Sequence, residues 1–186
     1  MYQRDLAALA AQVQDRKLPP LDRWNPPLSG TMAMRIARDG TWYHEGSAIE
    51  REGLVRLFST ILRREDDGDY YLVTPVEKWR IQVDDAPFVA VLLTVSGQGQ
   101  QQELRFTTNL GDVISAGPEH PLVVEYVRPS GEPSPYIQVR NQLRALISRT
   151  VFLELAELGE EQTVAGQTLY GVWSQGLFFP LGSLHE

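Results

Sequence analysis

The fold is decided by residues 70–83, which read YYLVTPVEKWRIQV. Pro75 separates two segments rich in β-branched and aromatic residues, and both are typical of strands. Because successive side chains of a strand point to opposite faces, the second segment presents one apolar face and one polar face. The apolar face carries Trp79, Ile81 and Val83, and the polar face carries Lys78, Arg80 and Gln82. The stretch therefore predicts two neighbouring strands, with a pair of cations on one face.

Strands and helices are predicted on both sides of this stretch, so we expect a fold that contains both. Ahead of it, residues 32–38 and 41–45 predict a hairpin around the turn dipeptide Asp39-Gly40. Ser47 and Glu50 match a capping box, in which both side chains bond free amides at the start of a helix. We expect that helix to continue through the apolar stripe that follows. Further strands are predicted at residues 87–95, 103–107, 122–128, 169–173 and 177–181.

Two more helices are predicted, one near the N-terminus and one in the second half. Residues 5–16 have apolar positions at helical spacing, and the proline-rich residues 17–27 after them predict an extended arm. In the second half, Ser134 is placed as an N-cap with Pro135 at the first helical position. The helix that follows is expected to end at Leu158. Its apolar residues wrap more than one face, which predicts contacts on two sides.

The composition limits the function. The chain has 186 residues, with 17 Lys and Arg against 24 Asp and Glu, so its formal net charge is −7. General nucleic-acid binding needs clustered cations, and this acidic balance argues against it. Without cysteine, thiol catalysis and Cys-based metal sites are excluded. The longest apolar run, residues 88–93, is too short to span a bilayer, and the start lacks a secretory signal pattern. We therefore expect a cytoplasmic protein that does not act at a membrane.

The chain is expected to contain a repeated unit. Residues 51–59 read REGLVRLFS and residues 140–148 read RNQLRALIS, so Arg, two Leu and Ser coincide. The order of predicted elements is also shared. We expect an N-terminal helix and arm at 1–27, a first α+β unit at 28–117 and a second at 118–186. The two similar, tightly packed units would then derive from an internal duplication.

Some polar residues at strand ends and faces are candidates for binding a small anion. Lys78 and Arg80 could together hold a phosphate or carboxylate, with Glu77 beside them. The alternative is an ordinary solvated sheet face. Thr108 and Asn109 follow a strand and could read the polar edge of a ligand. The alternative for this pair is a turn whose side chains bond its own backbone.

Three further positions complete the set of candidates. Arg51 and Arg140 occupy matching positions in the two runs, and both would approach the junction if the units are related by pseudo-symmetry. Salt bridges to acidic surface groups are the alternative. His120 lies in a proline-flanked turn, where a structural role is the simplest interpretation. Because His44, His120 and His185 show no ligand spacing, we predict neither a metal site nor a cofactor.

A series of short motifs occurs in order along the chain. They are DGTWY (39–43), GSAIER (46–51), LFS (57–59), YLVTPVEK (71–78), DAPF (85–88), FTTNLGD (106–112), HPL (120–122), VRNQL (139–143) and SQGLFFPLG (174–182). Over residues 24–182 this set resembles a bacterial family of unknown function, DUF1285. The resemblance implies a duplicated α+β unit whose second half is superficially like a pleckstrin-homology domain. It also implies a nucleotide-like ligand in the cleft between the halves, a signalling role and no established activity.

These observations favour a non-enzymatic protein that binds a small nucleotide-like anion at the inter-domain cleft through the candidate residues above. One alternative is a hydrolase acting on a nucleotide-like substrate, with Glu77 or His120 as the base. Another is a protein-interaction module in which an exposed strand edge pairs with a partner peptide, near Tyr126 or Trp173.

Overall fold

The computed structural model describes residues 6–12, 18–127 and 129–183, and the chain divides into two compact units. Unit 1 extends to Asp85 and unit 2 begins at Ala86. The sequence places the boundary later, after Gly117. In the structure Gly117 and His120 exchange two backbone hydrogen bonds, of 3.1 and 3.2 Å, which close a turn inside unit 2.

The described part of unit 1 contains two α-helices, a 3₁₀ turn at Leu21–Arg23 within the arm that the sequence predicts to be extended, and one six-stranded sheet, called sheet 1. The helices are α1 (Leu6–Gln12) and α2 (Glu52–Thr60). The strands are β1 (Leu28–Ile36), β2 (Trp42–His44), β3 (Ser47–Ala48), β4 (Leu62–Arg64), β5 (Tyr70–Val73) and β6 (Lys78–Val83). Their order is β3-β2-β1-β6-β5-β4, in which β1 and β6 run parallel and the other neighbours antiparallel. Sheet 1 therefore consists of two three-stranded meanders joined by one parallel pair.

The core of unit 1 lies between α2 and sheet 1. Phe58 of α2 is fully buried and stacks on Trp42 of β2, with 6.5 Å between the ring centroids. Ile61 is buried, as the helical periodicity predicts, but Leu54 and Leu57 of the predicted stripe are only half-buried and Val55 is buried instead. Residues 6–12 of the predicted N-terminal helix are helical, and its remaining residues lie outside the part that the structure describes.

The capping-box prediction is wrong. Ser47 belongs to β3 and pairs with His44 across the two-residue turn Glu45-Gly46. Both turn residues have positive φ, of 50° and 82°, which is the geometry that lets a two-residue turn match the twist of its strands. Because this hairpin takes up Ser47, α2 begins later, with Arg51 at its N-cap and no side-chain cap hydrogen bond.

The described part of unit 2 contains one helix and two sheets. Its first six strands form sheet 2 and are β7 (Phe88–Ser96), β8 (Glu103–Thr108), β9 (Val113–Ser115), β10 (Leu122–Val127), β11 (Glu132–Arg140) and β12 (Leu143–Ile147). The helix is α3 (Arg149–Glu157). A three-stranded antiparallel sheet follows, with β13 (Glu160–Val164), β14 (Gln167–Ser174) and β15 (Leu177–Ser183).

The long helix predicted from Ser134 to Leu158 is wrong. The chain instead forms β11, a turn and β12, and only residues 149–157 are helical. Ser148 is the N-cap of α3, and its hydroxyl accepts a hydrogen bond of 3.3 Å from the amide of Val151. Buried residues lie on both faces of β11 and β12, so their apolar pattern does not alternate and is easily taken for a helix.

The two six-stranded sheets have the same topology. Sheet 2 has the order β10-β11-β12-β7-β8-β9, so it too is built from two meanders. In each sheet the first strand of the first meander runs parallel to the last strand of the second, β1 with β6 and β7 with β12. This correspondence supports an internal duplication in an α+β fold. The resemblance of unit 2 to a pleckstrin-homology domain stays a prediction.

The alignment that suggested the repeat is nevertheless wrong. Residues 51–59 fall largely in α2, whereas residues 140–148 form the end of β11, a turn and β12. The strand registers give a different correspondence, in which Gly30 opposite Trp79 of unit 1 matches Phe88 opposite Ala145 of unit 2. In both pairs a small residue faces a large one. The large residue is on the last strand, β6, in sheet 1 and on the first strand, β7, in sheet 2.

Candidate functional site

Lys78 and Arg80 lie on one face of β6, as the sequence predicts, and they share one aromatic ring. The ammonium of Lys78 lies 4.8 Å from the centroid of the Tyr71 ring, and the Arg80 guanidinium carbon lies 5.7 Å from it. Tyr71 is directly opposite Arg80 on β5. Arg80 also donates a hydrogen bond of 3.2 Å to the Tyr71 hydroxyl.

Three carboxylates from the β4–β5 connection surround these cations. Lys78 Nζ donates to both oxygens of Glu65, at 3.1 and 3.2 Å. Asp69 lies 3.2 Å from Arg80 Nε, and the Tyr71 hydroxyl donates a 2.7 Å hydrogen bond to Asp67. With Arg63, which pairs with Glu65, these residues form what we call the unit 1 charged cluster.

The cluster shifts the pKa values of its members. Burial tends to raise the pKa of Glu65, but the hydrogen bonds and charges of Arg63 and Lys78 outweigh it and hold the pKa below its ordinary value. The hydrogen bond from Tyr71 to Asp67 lowers the pKa of the acid and raises that of the phenol. Glu65 and Asp67 are therefore ionised at neutral pH, and the cluster contains three basic and three acidic side chains.

Glu77 lies beside this cluster, in the turn between β5 and β6. Its amide donates a 3.0 Å hydrogen bond to the Thr74 hydroxyl, and its carbonyl accepts one of 2.9 Å from the Thr74 amide. The half-buried Glu77 is thus positioned by a closed four-residue turn.

Sheet 2 carries a triad in the same register as part of the unit 1 charged cluster. Arg144 of β12 lies over the Tyr136 ring, 3.7 Å from its centroid, and bonds Glu125 at 2.6 and 3.4 Å. In both sheets the tyrosine is on the central strand of the second meander, and the cation lies opposite the residue two places after it. The residue opposite the tyrosine is Arg63 in sheet 1 and Val123 in sheet 2. In each sheet the carboxylate comes two residues later along the chain. Glu65, Tyr71 and Lys78 thus correspond to Glu125, Tyr136 and Arg144.

The other predicted residues meet in unit 2 around Arg140, at the end of β11. The Arg140 side chain is 16% exposed, and its guanidinium carbon lies 5.0 Å from the centroid of the fully buried Phe88 ring. Its Nη1 is 3.8 Å from a carboxylate oxygen of Asp112, which is beyond hydrogen-bond distance. Burial lowers the pKa of Arg140, and the nearby charge of Asp112 acts in the opposite direction.

Thr108 and Asn109 form the loop that carries Asp112. The buried Thr108 hydroxyl donates to the Asp112 carboxylate at 3.3 Å and accepts from the Asp112 amide at 3.1 Å. Asn109 accepts a 3.0 Å hydrogen bond from the Val89 amide through its side-chain oxygen. Both side chains thus bond their own loop and the adjoining strand. We call Phe88, Thr108, Asn109, Asp112 and Arg140 the Arg140 cluster.

His120 and Arg51 lie outside both clusters. His120 Nδ1 is 2.9 Å from the carbonyl oxygen of Gln138, two residues before Arg140 on β11. Because a carbonyl only accepts hydrogen bonds, Nδ1 carries the proton and Nε2 is the basic nitrogen. Arg51 is exposed and lines a cavity of about 570 Å³ between α1 and α2, whose other lining residues are mostly apolar.

Sequence reasoning missed the acidic members of both clusters and the triad of unit 2. Asp112 and Glu65 are both distant in sequence from the cations they accompany, Arg140 and Lys78. The sequence does show the tyrosines of the two triads, Tyr71 and Tyr136. Their cations and carboxylates can be assigned only once the strand pairing is known.

The described residues contain neither a metal-binding group of side chains nor a membrane-spanning helix. Among residues 6–12, 18–127 and 129–183, no group of three or more His, Asp or Glu side chains is placed to hold a metal ion. Within the same residues, no helix is long and apolar enough to cross a membrane.

Comparison with known families accounts for both units. Residues 19–86 match the model of the DUF1285 N-terminal domain, a domain of unknown function, and residues 87–181 match that of the C-terminal domain. The chain belongs to the DUF1285 family. The junction of the two matches falls at the boundary between units 1 and 2. No match was found among curated proteins.

Two solved structures of DUF1285 family proteins are similar to this chain. The one from Silicibacter pomeroyi DSS-3 is 48% identical, with a TM-score of 0.89, over 97% of this chain and 96% of the other. The one from Shewanella baltica OS155 is 25% identical, with a TM-score of 0.52, over 68% of this chain and 91% of the other. Both are described only by their family, so DUF1285 membership establishes the fold without a biochemical activity.

Proposed function

We propose that this DUF1285 protein binds a small anionic, nucleotide-like ligand without catalysis, as part of bacterial signal transduction in the cytoplasm. The Arg140 cluster is the binding site in this proposal. The observation that carries it is the mostly buried guanidinium of Arg140, stacked on Phe88 with Asp112 at 3.8 Å. A cation in such surroundings gains most from an anion that can bond it directly.

The charge balance favours Arg140 over the other predicted cations. Lys78 and Arg80 belong to a cluster whose three carboxylates match its three cations, so an incoming anion would have to displace an acidic side chain. Asp112 by contrast is 41% exposed and is held by Thr108, on its own loop, rather than by Arg140. A phosphate at Arg140 would therefore compete with a carboxylate 3.8 Å away, rather than with the short ion pairs of the unit 1 charged cluster.

The ligand class follows from the donors at the site. A guanidinium presents a planar fork that bonds two oxygens of a phosphate or carboxylate. Asn109 bonds the amide of Val89, the residue after Phe88, and an amide side chain can read the edge of a base. A phosphorylated molecule with a polar ring is the simplest ligand that uses both groups, which agrees with the nucleotide-like ligand that the resemblance implies.

A thermal-shift titration tests the proposal. The panel contains inorganic phosphate, nucleoside mono-, di- and triphosphates and cyclic dinucleotides, and fluorescence of Trp173 reports unit 2. A ligand at about 100 times its Kd stabilises the folded state by roughly 2.7 kcal/mol, or several degrees at this chain length. We expect such a shift in the wild type, its loss in Arg140→Gln and its partial return in Arg140→Lys.

Arg105→Gln is the matched control, because Arg105 is a half-exposed arginine of unit 2 that pairs with Glu103. This variant should keep the full ligand-induced shift. Binding that survives Arg140→Gln but disappears in Lys78→Gln would transfer the site to the unit 1 charged cluster. A cooperative transition that no member of the panel shifts would refute anion binding.

A second candidate function is protein interaction through β10. This strand is an edge of sheet 2, and Val123, Tyr126 and Val127 on it are each about half exposed. Edge strands with apolar side chains pair readily with extended segments. Replacing Val123 and Val127 by Lys should abolish a concentration-dependent increase in mass by gel filtration or light scattering, if β10 is the surface that binds.

A further inference from the structure

We propose that residues 18–27 form a strap that Arg63 fastens to the edge strand of sheet 1, using a triad that both units share. Arg63 lies on β4 and is largely buried. Its Nη1 donates hydrogen bonds to the carbonyl oxygens of Leu21, at 2.9 Å, and Trp24, at 2.7 Å. One guanidinium nitrogen therefore holds the carbonyls at both ends of the single 3₁₀ turn at Leu21–Arg23.

The other end of the guanidinium is fixed by the triad. Arg63 Nη2 donates to Glu65 Oε1, and Glu65 is in turn bonded through both oxygens by Lys78. Nη2 of Arg63 is therefore held by Glu65, while Nη1 is directed at the strap. Glu65 and Lys78 are thus positioning residues for the strap, although neither touches it in the bonds described.

Comparison with unit 2 shows that the strap is an addition to the shared triad. Arg63 lies opposite Tyr71 in sheet 1, and the residue opposite Tyr136 in sheet 2 is Val123. Val123 is half exposed and its side chain can donate no hydrogen bond. Unit 2 therefore has the triad without the group that would fasten a segment to its edge strand β10.

The strap is built so that it can open locally. The only large side chain it buries fully among residues 18–27 is Leu21, and its own hydrogen bonds are the turn contacts Leu21 to Pro19, Arg23 to Pro20 and Trp24 to Leu21. Segments with few buried contacts open at much lower cost than the core. Since Arg63 supplies the contacts to the sheet, its removal should release the strap while unit 1 stays folded.

Hydrogen exchange of the full chain tests the proposal, together with trypsin cleavage at the exposed Arg23. In Arg63→Gln we expect exchange of the Leu21, Arg23 and Trp24 amides, and cleavage after Arg23, to accelerate about tenfold. Lys78→Gln should give a smaller acceleration, because the strap contacts remain but Arg63 is less well fixed. Protection of the sheet 1 amides should be unchanged.

Two matched variants separate the strap from general destabilisation. Arg64→Gln removes the neighbouring arginine of β4, which lies over Tyr70, and Arg144→Gln removes the cation of the unit 2 triad. Both should leave exchange and cleavage in the strap at wild-type rates. If Arg63→Gln does not fold, Arg63→Lys is used instead, because it keeps the charge but lacks the planar guanidinium. This variant must still accelerate both amide exchange and tryptic cleavage in the strap. Wild-type rates in the folded Arg63 variants, or equal acceleration in Arg144→Gln, would overturn the proposal.

Discussion

The contact of Arg144 with Tyr136 offers the sharpest test of the energetics described for unit 2. The guanidinium carbon is 3.7 Å from the ring centroid, and Tyr136 is buried. Arg144→Met keeps most of the aliphatic stem of the side chain and removes the charge. It also leaves no buried charge behind, because its partner Glu125 is half exposed.

The expected loss of stability is the sum of two contributions. A cation over a largely desolvated ring contributes about 1–2 kcal/mol. The partly exposed bidentate pair with Glu125 contributes about 0.5 kcal/mol. We therefore expect Arg144→Met to lower the free energy of unfolding of unit 2 by about 2 kcal/mol, which is roughly 4–8 °C in Tm for a chain of this length.

Urea denaturation followed by Trp173 fluorescence measures this loss, since Trp173 is the only tryptophan of unit 2. A double-mutant cycle with Tyr136→Leu isolates the ring contact and should give a coupling energy of about 1 kcal/mol. Arg105→Met, which removes a surface arginine of the same unit, should change stability by less than about 0.5 kcal/mol. A coupling energy near zero in the Arg144 cycle would show that the ring contact does not stabilise unit 2.

Two further predictions concern unit 1. The folded-state pKa of Glu65 lies below its unfolded value, so its stabilisation is complete above about pH 4.5 and is lost as the pH falls through the folded-state pKa. Wild type and Glu65→Gln should therefore differ in urea stability at pH 7 and converge on acidification, and a difference that persists at low pH would contradict this assignment. Gly53 lies in the first turn of α2, where an added Cβ would meet nothing within 4 Å. Gly53→Ala should stabilise unit 1 by about 0.5 kcal/mol in a thermal melt, and a lower Tm would show that the helix start is constrained in another way.

The elements that the sequence predicts correctly are those with a local signal. The stretch around Pro75 forms β5 and β6, and the stripe containing Phe58 forms the buried face of α2. The period-2 pattern of β6 also places Lys78 and Arg80 on one face, because one side of that strand is buried and the other is not. Periodicity is informative where exactly one face of an element meets the core.

The errors occur where that condition fails. Residues 136–147 are buried on both faces of β11 and β12, so the run has no period that separates a strand from a helix. The turn between these strands depends on Asn141 at φ 48°, a conformation that asparagine tolerates better than most residues. At Ser47 the local capping pattern competes with a two-residue hairpin turn, and the pairing of β2 with β3 decides the outcome.

The candidate sites could be predicted only in part because their partners are distant in sequence. The two cations of β6 are visible in the sequence, but their carboxylates are contributed by a turn that the pairing of β4, β5 and β6 brings alongside them. Arg140 meets Asp112 only because the pairing of β7 with β12 joins the two meanders of sheet 2. A long-range parallel pair such as β7 with β12 leaves no short sequence signature.

The shared topology of the two sheets suggests where function resides in this chain. Features common to both sheets, such as the topology and the cation–tyrosine–carboxylate triad, are sufficiently explained by stability. The features proposed here for function are those that the copies do not share. Arg63 has Val123 as its counterpart. Arg140 ends β11, and five residues separate Gln138 from Arg144 where four separate the matching Val73 and Lys78 of unit 1. Duplicated sheets that keep one framework are free to diverge at edges and turns, because substitutions there disturb little of the core. The strap of unit 1 and the Arg140 cluster of unit 2 are on this view separate specialisations of one ancestral sheet, so removing either should leave the other intact.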